Sequence, residues 1–292
     1  MRITGHRMID LAAASTSKSQ EVVAARSAEV TSGLRVAKPS DDPAAYAAAE
    51  RAKVRRTIAE GTSSAVKASR DRLEETDGAL GSIGDILSRV QELAVQGANA
   101  SYNAGDRAEL GAEVEALFQS AIGAANTQSS GGEYLLAGSQ SLTPPFDPNG
   151  AYVGDALARG IPAMENSTAF STIAGSRLTA AYGVDVLPLL KRVAAALSSN
   201  DLASLQIGLG DLHTAVQQVG LSRTVTGSAM NVLDATATAR DQLSAHLSQE
   251  VARNVEVDSI GAASALANAS QALEASRAVS SHLVALLDPR QT

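Results

Sequence analysis

Acid–base and metal chemistry need ionisable side chains brought together, and the four histidines of this chain, His6, His213, His246 and His282, stand far apart. None has a second histidine or a carboxylate at the spacing of an H-E-x-x-H helix, so no zinc-type centre is expected. Cysteine is absent, which removes thiolate ligands, thiol nucleophiles and disulfides together. The stretch Gly208-Leu209-Gly210-Asp211-Leu212-His213 begins like a dinucleotide-binding loop, but it lacks the last glycine and lies among helix formers. Neither a phosphate-cradling P-loop nor a nucleophile-elbow serine occurs. The adjacent acids Asp41-Asp42 and Glu74-Glu75 fall where helices should start or face water, positions at which carboxylates complement the helix dipole more often than they move protons. Arg51, Lys53, Arg55 and Arg56 form the densest basic cluster. Without interleaved aromatics to stack bases it reads as a solvated helix face or a subunit contact. The sequence therefore predicts no catalytic residue, no metal site and no cofactor.

What remains to be explained is the set of elements themselves. Of the 292 residues, 56 are alanine and only 3% are aromatic, a composition that favours helix and is poor in bulky core residues. The net charge of −7 gives no general attraction to a phosphate backbone or an anionic membrane. No run approaches the roughly 18 to 20 apolar residues needed to span a bilayer. Arg2 and Arg7 followed by Met8-Ile9-Asp10-Leu11-Ala12 imitate a secretory leader, but Asp10 interrupts the apolar stretch. The expectation is a soluble chain that, if it leaves the cell, does so without a cleaved signal peptide.

Prolines are confined to 39, 43, 144, 145, 148, 162, 188 and 289, leaving 44–143 and 189–288 free to form long helices. In the first of these, Val66, Ser69, Leu73, Thr76, Leu80, Ile83, Leu87, Val90, Ala94 and Gly97 alternate steps of three and four, the stripe of a helix packed along its length. Gly81 and Gly84 inside it predict either a bend or a close neighbouring backbone. After a break near Gly97, Asp106 with Glu109 reads as the cap of a second helix that should stop near Gly131-Gly132. In the second stretch Ala252, Val255, Ser259, Ala262, Leu266, Ala269, Leu273, Ser276, Ser280, Leu283 and Leu287 keep the alternation. A four-four step at 247, 251 and 255 predicts a local change of supercoil inside one helix from 228 to 287, roughly 90 Å long. Met8, Leu11, Ser15, Val22 and Ala25 mark another small-residue face ending at Gly33, and Ser40-Asp41-Asp42-Pro43 supplies a cap and a first-turn proline for a helix from Pro43. Five of the eight aromatics lie within 131–187, where Glu133–Ala137 and Ala151–Val153 are strand candidates around a proline-rich turn.

These readings give a mainly α chain: a long antiparallel helical bundle or coiled coil from both chain ends with a small β-containing central insert. Residues 1–42 and 255–292 would form a terminal coiled-coil domain, 43–130 and 188–254 a helical rod, and 131–187 an outer domain.

The residues in this layout resemble the flagellin superfamily. Ser32-Gly33-Leu34-Arg35-Val36 with Pro39-Ser40-Asp41-Asp42-Pro43 is similar to the family's N-terminal signature, and Val90-Gln91-Glu92-Leu93-Ala94-Val95-Gln96-Gly97-Ala98-Asn99 to its second block. Gly132–Gly138 leading to Pro144-Pro145-Phe146-Asp147, Gly227-Ser228-Ala229-Met230-Asn231 and the stretch 258–287 extend the resemblance into the second arm. The resemblance implies a structural protein of the bacterial flagellum, extracellular after type III export, acting as a junction adaptor. Its implied partners are the first hook-associated protein, flagellin, copies of itself in a ring, and an export chaperone on the C-terminal helix. The signature residues are then Ser40, Asp41, Asp42 and Pro43, and the assembly interface Ile3, Met8, Leu11, Val22, Leu266, Leu273, Leu283 and Leu287. A filament-forming flagellin, an enzyme domain carried on a helical scaffold, and a lipid-associating helix protein are the alternatives; narrow Ala/Ser seams without Trp disfavour the last.

Terminal faces made of Ala and Ser bury little. Each covered leucine contributes ~1.5 to 3 kcal/mol, and helix propagation alone is close to neutral in water. Limited proteolysis of the free subunit is therefore expected to remove roughly residues 1 to 40 and 255 to 292 and spare a middle core; protease-resistant ends in a proven monomer would contradict this.

Overall fold

The computed structural model describes residues 2–164 and 167–287. Among them run six α-helices, α1 (Arg2–Ser32), α2 (Pro43–Ala98), α3 (Ala104–Ala125), α4 (Val186–Ser198), α5 (Leu202–Val255) and α6 (Ser259–Leu287), and one antiparallel sheet of two strands, β1 (Gly160–Met164) and β2 (Ser167–Phe170). The mainly helical architecture agrees with the sequence. The chain divides into two compact units, 59–242 and 1–58 with 243–292.

In the unit 59–242, α2 and α5 run antiparallel and share a core with α3 and α4. The expected stripe of α2 is the one that packs: Leu73, Thr76, Leu80, Ile83, Leu87, Val90 and Ala94 are buried, several of them against Phe118 of α3, Leu190 and Leu197 of α4 and Leu212 of α5. Hydroxyls enter this seam because each satisfies itself on the preceding turn, Thr76 Oγ1 on the Arg72 carbonyl at 2.8 Å and Thr226 Oγ1 on that of Ser222 at 3.0 Å, so neither hydroxyl is stranded. Gly81 and Gly84 face side chains rather than a neighbouring backbone: the Arg223 guanidinium lies over Gly81 and holds Asp77 through two bonds of 2.9 and 2.8 Å. Close approach occurs instead at Gly111, where a Cβ would stand 3.0 Å from the Ala194 carbonyl oxygen of α4.

Several boundaries differ from expectation, each for a local reason. The cap of α3 is Asn103, whose side chain accepts from Gly105 and Asp106 N–H, while the Asp106 carboxylate accepts in return from the Asn103 N–H; Asp106 is thus the third helical residue of a capping box. That helix ends at Ala125, not near Gly131, because Asn126 turns its amide to the Phe146 backbone, donating at 2.9 Å and accepting at 3.0 Å. The stretches 133–137 and 151–153 form only isolated bridges, Tyr134 to Gln128 and Phe146 to Tyr152. The intervening prolines supply no ladder donors and Asp147 Oδ1 gathers the Asn149 and Ala151 N–H groups into a turn. The strands lie further on, with Ile161 opposite Ala169, and Ala169 and Ile173 fill a small core against Val66, Leu73 and Leu233.

The central segment is fastened to α2 by charge. Arg72 of α2 donates to the Glu133 carboxylate, Arg159 approaches it at 3.3 Å, and Ser141 donates at 3.1 Å. The Arg72 hydrogen bond, with help from Ser141 and Arg159, holds the Glu133 carboxyl far below the usual range, at about 2, although its burial works the other way. A carboxyl depressed on folding contributes stability above its unfolded pKa and loses it as pH falls towards the folded value. Glu133→Gln is expected to destabilise this unit by ~1 to 2 kcal/mol at neutral pH, and urea melts should show the gap to the parent narrowing between about pH 5 and about pH 2.

Candidate functional site: the 33–42 loop and the terminal helix pair

In the unit 1–58 with 243–292, α1 stops where Gly33 takes φ +69° and its N–H returns to the Glu29 carbonyl at 2.9 Å, a left-handed helix end that glycine adopts at least cost. The chain then lies antiparallel to residue 256. Arg35 and Val36 N–H both donate to the Val255 carbonyl at 2.8 and 3.3 Å, and Val257 N–H donates to the Gly33 carbonyl at 3.0 Å. Arg35 Nη2 adds a bond of 2.8 Å to the Asn254 carbonyl. Two of the carbonyls that α5 leaves open at its C-terminus are thus satisfied by the loop, 219 residues away in sequence.

Asp41 and Asp42 build the other half of this latch. Asp41 Oδ2 accepts from Ala37 and Lys38 N–H at 3.0 and 2.9 Å. Asp42 Oδ1 accepts from Ala45 N–H at 3.0 Å and caps α2, where Pro43 occupies a position whose N–H would be unpaired in any case. The Ala45 N–H, and after it Arg35 at 3.5 Å, holds the Asp42 carboxyl below its ordinary value. Ser40 is exposed in the turn. Val36 is buried among Leu34, Ala45, Tyr46, Ala49, Val251 and Val255. The latch lies at a break in what the spacing alone makes one helix: α5 ends at Val255 and α6 starts at Ser259. The four-four step at 247, 251 and 255 therefore precedes a helix end, not a change of supercoil within a continuous helix. Asp258 Oδ1 accepts from Ile260 N–H at 3.2 Å, and the Asp258 carbonyl from Ala262 N–H at 2.8 Å, to start α6.

Helices α1 and α6 pair antiparallel. The residues of α1 turned towards α6 are Ile9, Ala12, Thr16, Ser19 and Val23, half-buried at alternating steps of three and four. This seam is one residue out of phase with the face read from the sequence, and Met8, Leu11 and Val22 stand exposed beside it. On α6 the phase is as expected, with Leu266, Leu273 and Leu283 half-buried. The middle of the seam is hydroxylic: Thr16 Oγ1 donates to the Ala12 carbonyl at 3.0 Å and lies 3.0 and 3.2 Å from the hydroxyls of Ser280 and Ser276. The side chains of Ile3 and Leu287, and the expected stop at Asp288-Pro289, lie outside the described residues. His213, His246 and His282 are exposed and apart, and no group of three His, Asp or Glu positioned for a metal occurs among the described residues.

Residues 6–141 match the bacterial flagellin N-terminal helical region. A chain assigned as a flagellar hook-associated protein in Vibrio parahaemolyticus superposes with a TM-score of 0.68 at 21% identity, covering 74% of this chain and 100% of that one. The fold is that of this hook-associated chain. Flagellar hook-associated protein 3 of Escherichia coli (strain K12) is 29% identical over 133 residues, 44% of this chain and 41% of that protein. Flagellin D of Vibrio anguillarum is 30% identical over 196 residues, 66% and 48% of the respective lengths. The chain therefore spans less than half of these curated relatives. No described helix here is long and apolar enough to cross a membrane.

Of the residues that build the latch, Arg35 was read only as part of the N-terminal signature, and the 256–258 break was not expected. The Asp258-Ser259 pair is a helix-start signal that the unbroken heptad concealed. Val36→Ala should lower the opening free energy of the segments around 30–40 and 250–260 by roughly 2 kcal/mol and Arg35→Ala by about 1 kcal/mol. Amide hydrogen exchange should show both changes there and none at Leu80–Val90.

Proposed function

We propose that this chain is a structural subunit of the bacterial flagellum that joins the hook-associated layer to the flagellin filament. The observation that carries the reading is the terminal helix pair: the middle of its seam is built from hydroxyl side chains, while Met8, Leu11 and Val22 on α1 and Ile260, Val279 and Val284 on α6 remain exposed. Apolar side chains held on a thin two-helix support gain most from burial against a further helix. The likeness to hook-associated protein 3 over 133 residues supports the junction role within the flagellin type. On this reading the protein is not an enzyme, binds no cofactor, and acts outside the cell after export without a cleaved signal peptide.

Its partners would be the first hook-associated protein on one side, flagellin on the other, copies of itself in a ring, and an export chaperone covering α6 beforehand. Residues 1–42 and 255–292 would form the inner assembly layer, 43–130 and 188–254 the rod, and 131–187 the outward domain. Ile3, Met8, Leu11 and Val22 would meet neighbouring subunits, and Leu266, Leu273, Leu283 and Leu287 would set the α6 seam that the chaperone and then the junction cover. Ser40, Asp41, Asp42 and Pro43 would fix the loop that carries these helices.

A filament subunit is the second reading, favoured by the longer match to flagellin D. Purified chain that polymerises alone into long filaments would establish it and sink the junction role. The junction role predicts that deleting the gene releases unpolymerised flagellin into the medium from cells that still make hooks. It also predicts that Leu273→Asp abolishes retention at the junction or chaperone capture while moving the melting temperature of the unit 59–242 by about 2 °C or less.

A further inference from the structure

Of the nine asparagines in the chain, Asn149 alone is followed by glycine. The pair stands in the turn that Asp147 organises, within the unit 59–242. Asn149 is exposed to solvent, while Gly150 beside it is buried and takes φ +81°. A Cβ at residue 150 would stand 2.8 Å from the Leu187 Cβ and 3.2 Å from the Phe118 ring, so conformation and space both require glycine here. That requirement has a chemical consequence: no side chain at residue 150 shields its peptide nitrogen from the carboxamide of the residue before it.

The carboxamide is itself polarised. Lys191 of α4 donates to Asn149 Oδ1 at 2.9 Å, and its ammonium also lies 5.9 Å from the centre of the Phe118 ring, a second attraction that keeps the cation in place. Positive charge at the amide oxygen draws electron density from Cγ and stabilises the negative charge that develops on that oxygen when a nucleophile adds. The opposing constraint is the Gly150 N–H, which donates to the Asp147 carbonyl at 2.9 Å. This turn bond must open before the nitrogen attacks.

We infer that Asn149 is a site of spontaneous deamidation assisted by Lys191. The Gly150 nitrogen bonds to Asn149 Cγ and gives up its proton, the Cγ–Nδ2 bond breaks, and the amide nitrogen leaves with that proton as ammonia, forming a cyclic imide. Water then adds to one imide carbonyl and opens the ring, releasing a carboxylate and a proton. Breaking the new Cγ–N bond leaves aspartate at 149, which turns the Lys191 contact into an ion pair. Breaking the original peptide bond instead leaves the main chain running through Cβ and Cγ, one carbon longer. That product displaces Gly150 from its fit against Leu187 and Phe118, both members of the core of this unit. The reaction needs only water and does not depend on the flagellar role.

The test incubates the full-length protein in mildly alkaline buffer and follows ammonia release and the mass of the peptide containing residue 149. Asn149 is expected to convert before the other eight asparagines, and Asn149→Gln to remove this first phase. Lys191→Met is expected to slow it about threefold, the size of an exposed charge contact, and Lys191→Arg to restore the parent rate. In urea, where the turn is lost, the parent and both Lys191 variants are expected to convert at one rate, which separates assistance by the fold from the reactivity of the Asn-Gly pair alone. Circular dichroism confirms that each variant is folded in buffer. Another asparagine converting first, folded Lys191→Met converting as fast as the parent, or a Lys191 effect that persists in urea overturns the proposal.

Discussion

A chain in which nearly every fifth residue is alanine forms helix at little entropic cost but has few side chains with which to hold helices together. The structure answers this scarcity by concentration. Most of the large apolar side chains that are fully buried, among them Phe118, Leu80, Leu87, Leu136, Leu187 and Leu190, sit in one core of the unit 59–242, where four helices meet. Around that core smaller devices bring helices together: a bidentate arginine such as Arg223 on Asp77, a glycine such as Gly111 that admits a neighbour, and hydroxyls that can enter a seam because each returns to its own preceding carbonyl. The Arg72–Glu133–Arg159 cluster does the same for a segment with almost no regular structure of its own.

The terminal unit shows what must supplement a core that is small. Among the described residues its cluster holds Val36, Ala49 and Val255 as buried members, and helix ends carry backbone groups that cost free energy if left unpaired. Placing the end of α5 against the loop after α1 lets the carbonyls of Asn254 and Val255 find donors in Arg35 and Val36, and lets the Gly33 carbonyl find one in Val257. Backbone satisfaction, rather than area, locks the register of the two chain ends here. Asp41 and Asp42 contribute by shaping the loop so that both donors point the right way while α2 begins with a capped first turn.

This division explains which parts of the molecule could be read beforehand. The stripe from Val66 to Gly97 is built of large residues at strict spacing, and its phase alone identified the packed face. On α1 the apolar pattern misleads: Met8, Leu11 and Val22 stand out in the sequence, yet the seam runs one residue later through Ile9, Ala12, Thr16, Ser19 and Val23, where the Thr16 hydroxyl meets those of Ser276 and Ser280. Helix ends set by distant partners were the other gap. Nothing near Asn126 reveals that it will bind the backbone of Phe146, and nothing near Val255 reveals that Arg35 will accommodate a break. Local caps with a sequence signature, such as Asp42-Pro43, were legible, whereas Asp258-Ser259 lost to a heptad that runs across it.

A thin terminal unit also has a consequence for how an assembling protein would behave. Ordering a residue costs roughly 1 to 2 kcal/mol, and one covered aliphatic side chain returns ~1.5 to 3 kcal/mol. A single neighbour touching Met8 or Leu11 would offset the ordering of only a residue or two, while neighbours covering Met8, Leu11, Val22, Ile260, Val279 and Val284 together would offset a turn or more on each helix. On the proposed reading, incorporation is therefore steeply dependent on how many neighbours are already in place, and an isolated encounter between two subunits is not enough to set the ends. The latch is what makes this threshold usable: by fixing the residue at which α1 ends and α6 begins through backbone bonds that need no neighbour, it keeps the exposed side chains in register while the helices carrying them remain marginal. Without the latch, each newly covered side chain would also have to establish that register, and the gain per neighbour would fall below the cost of ordering.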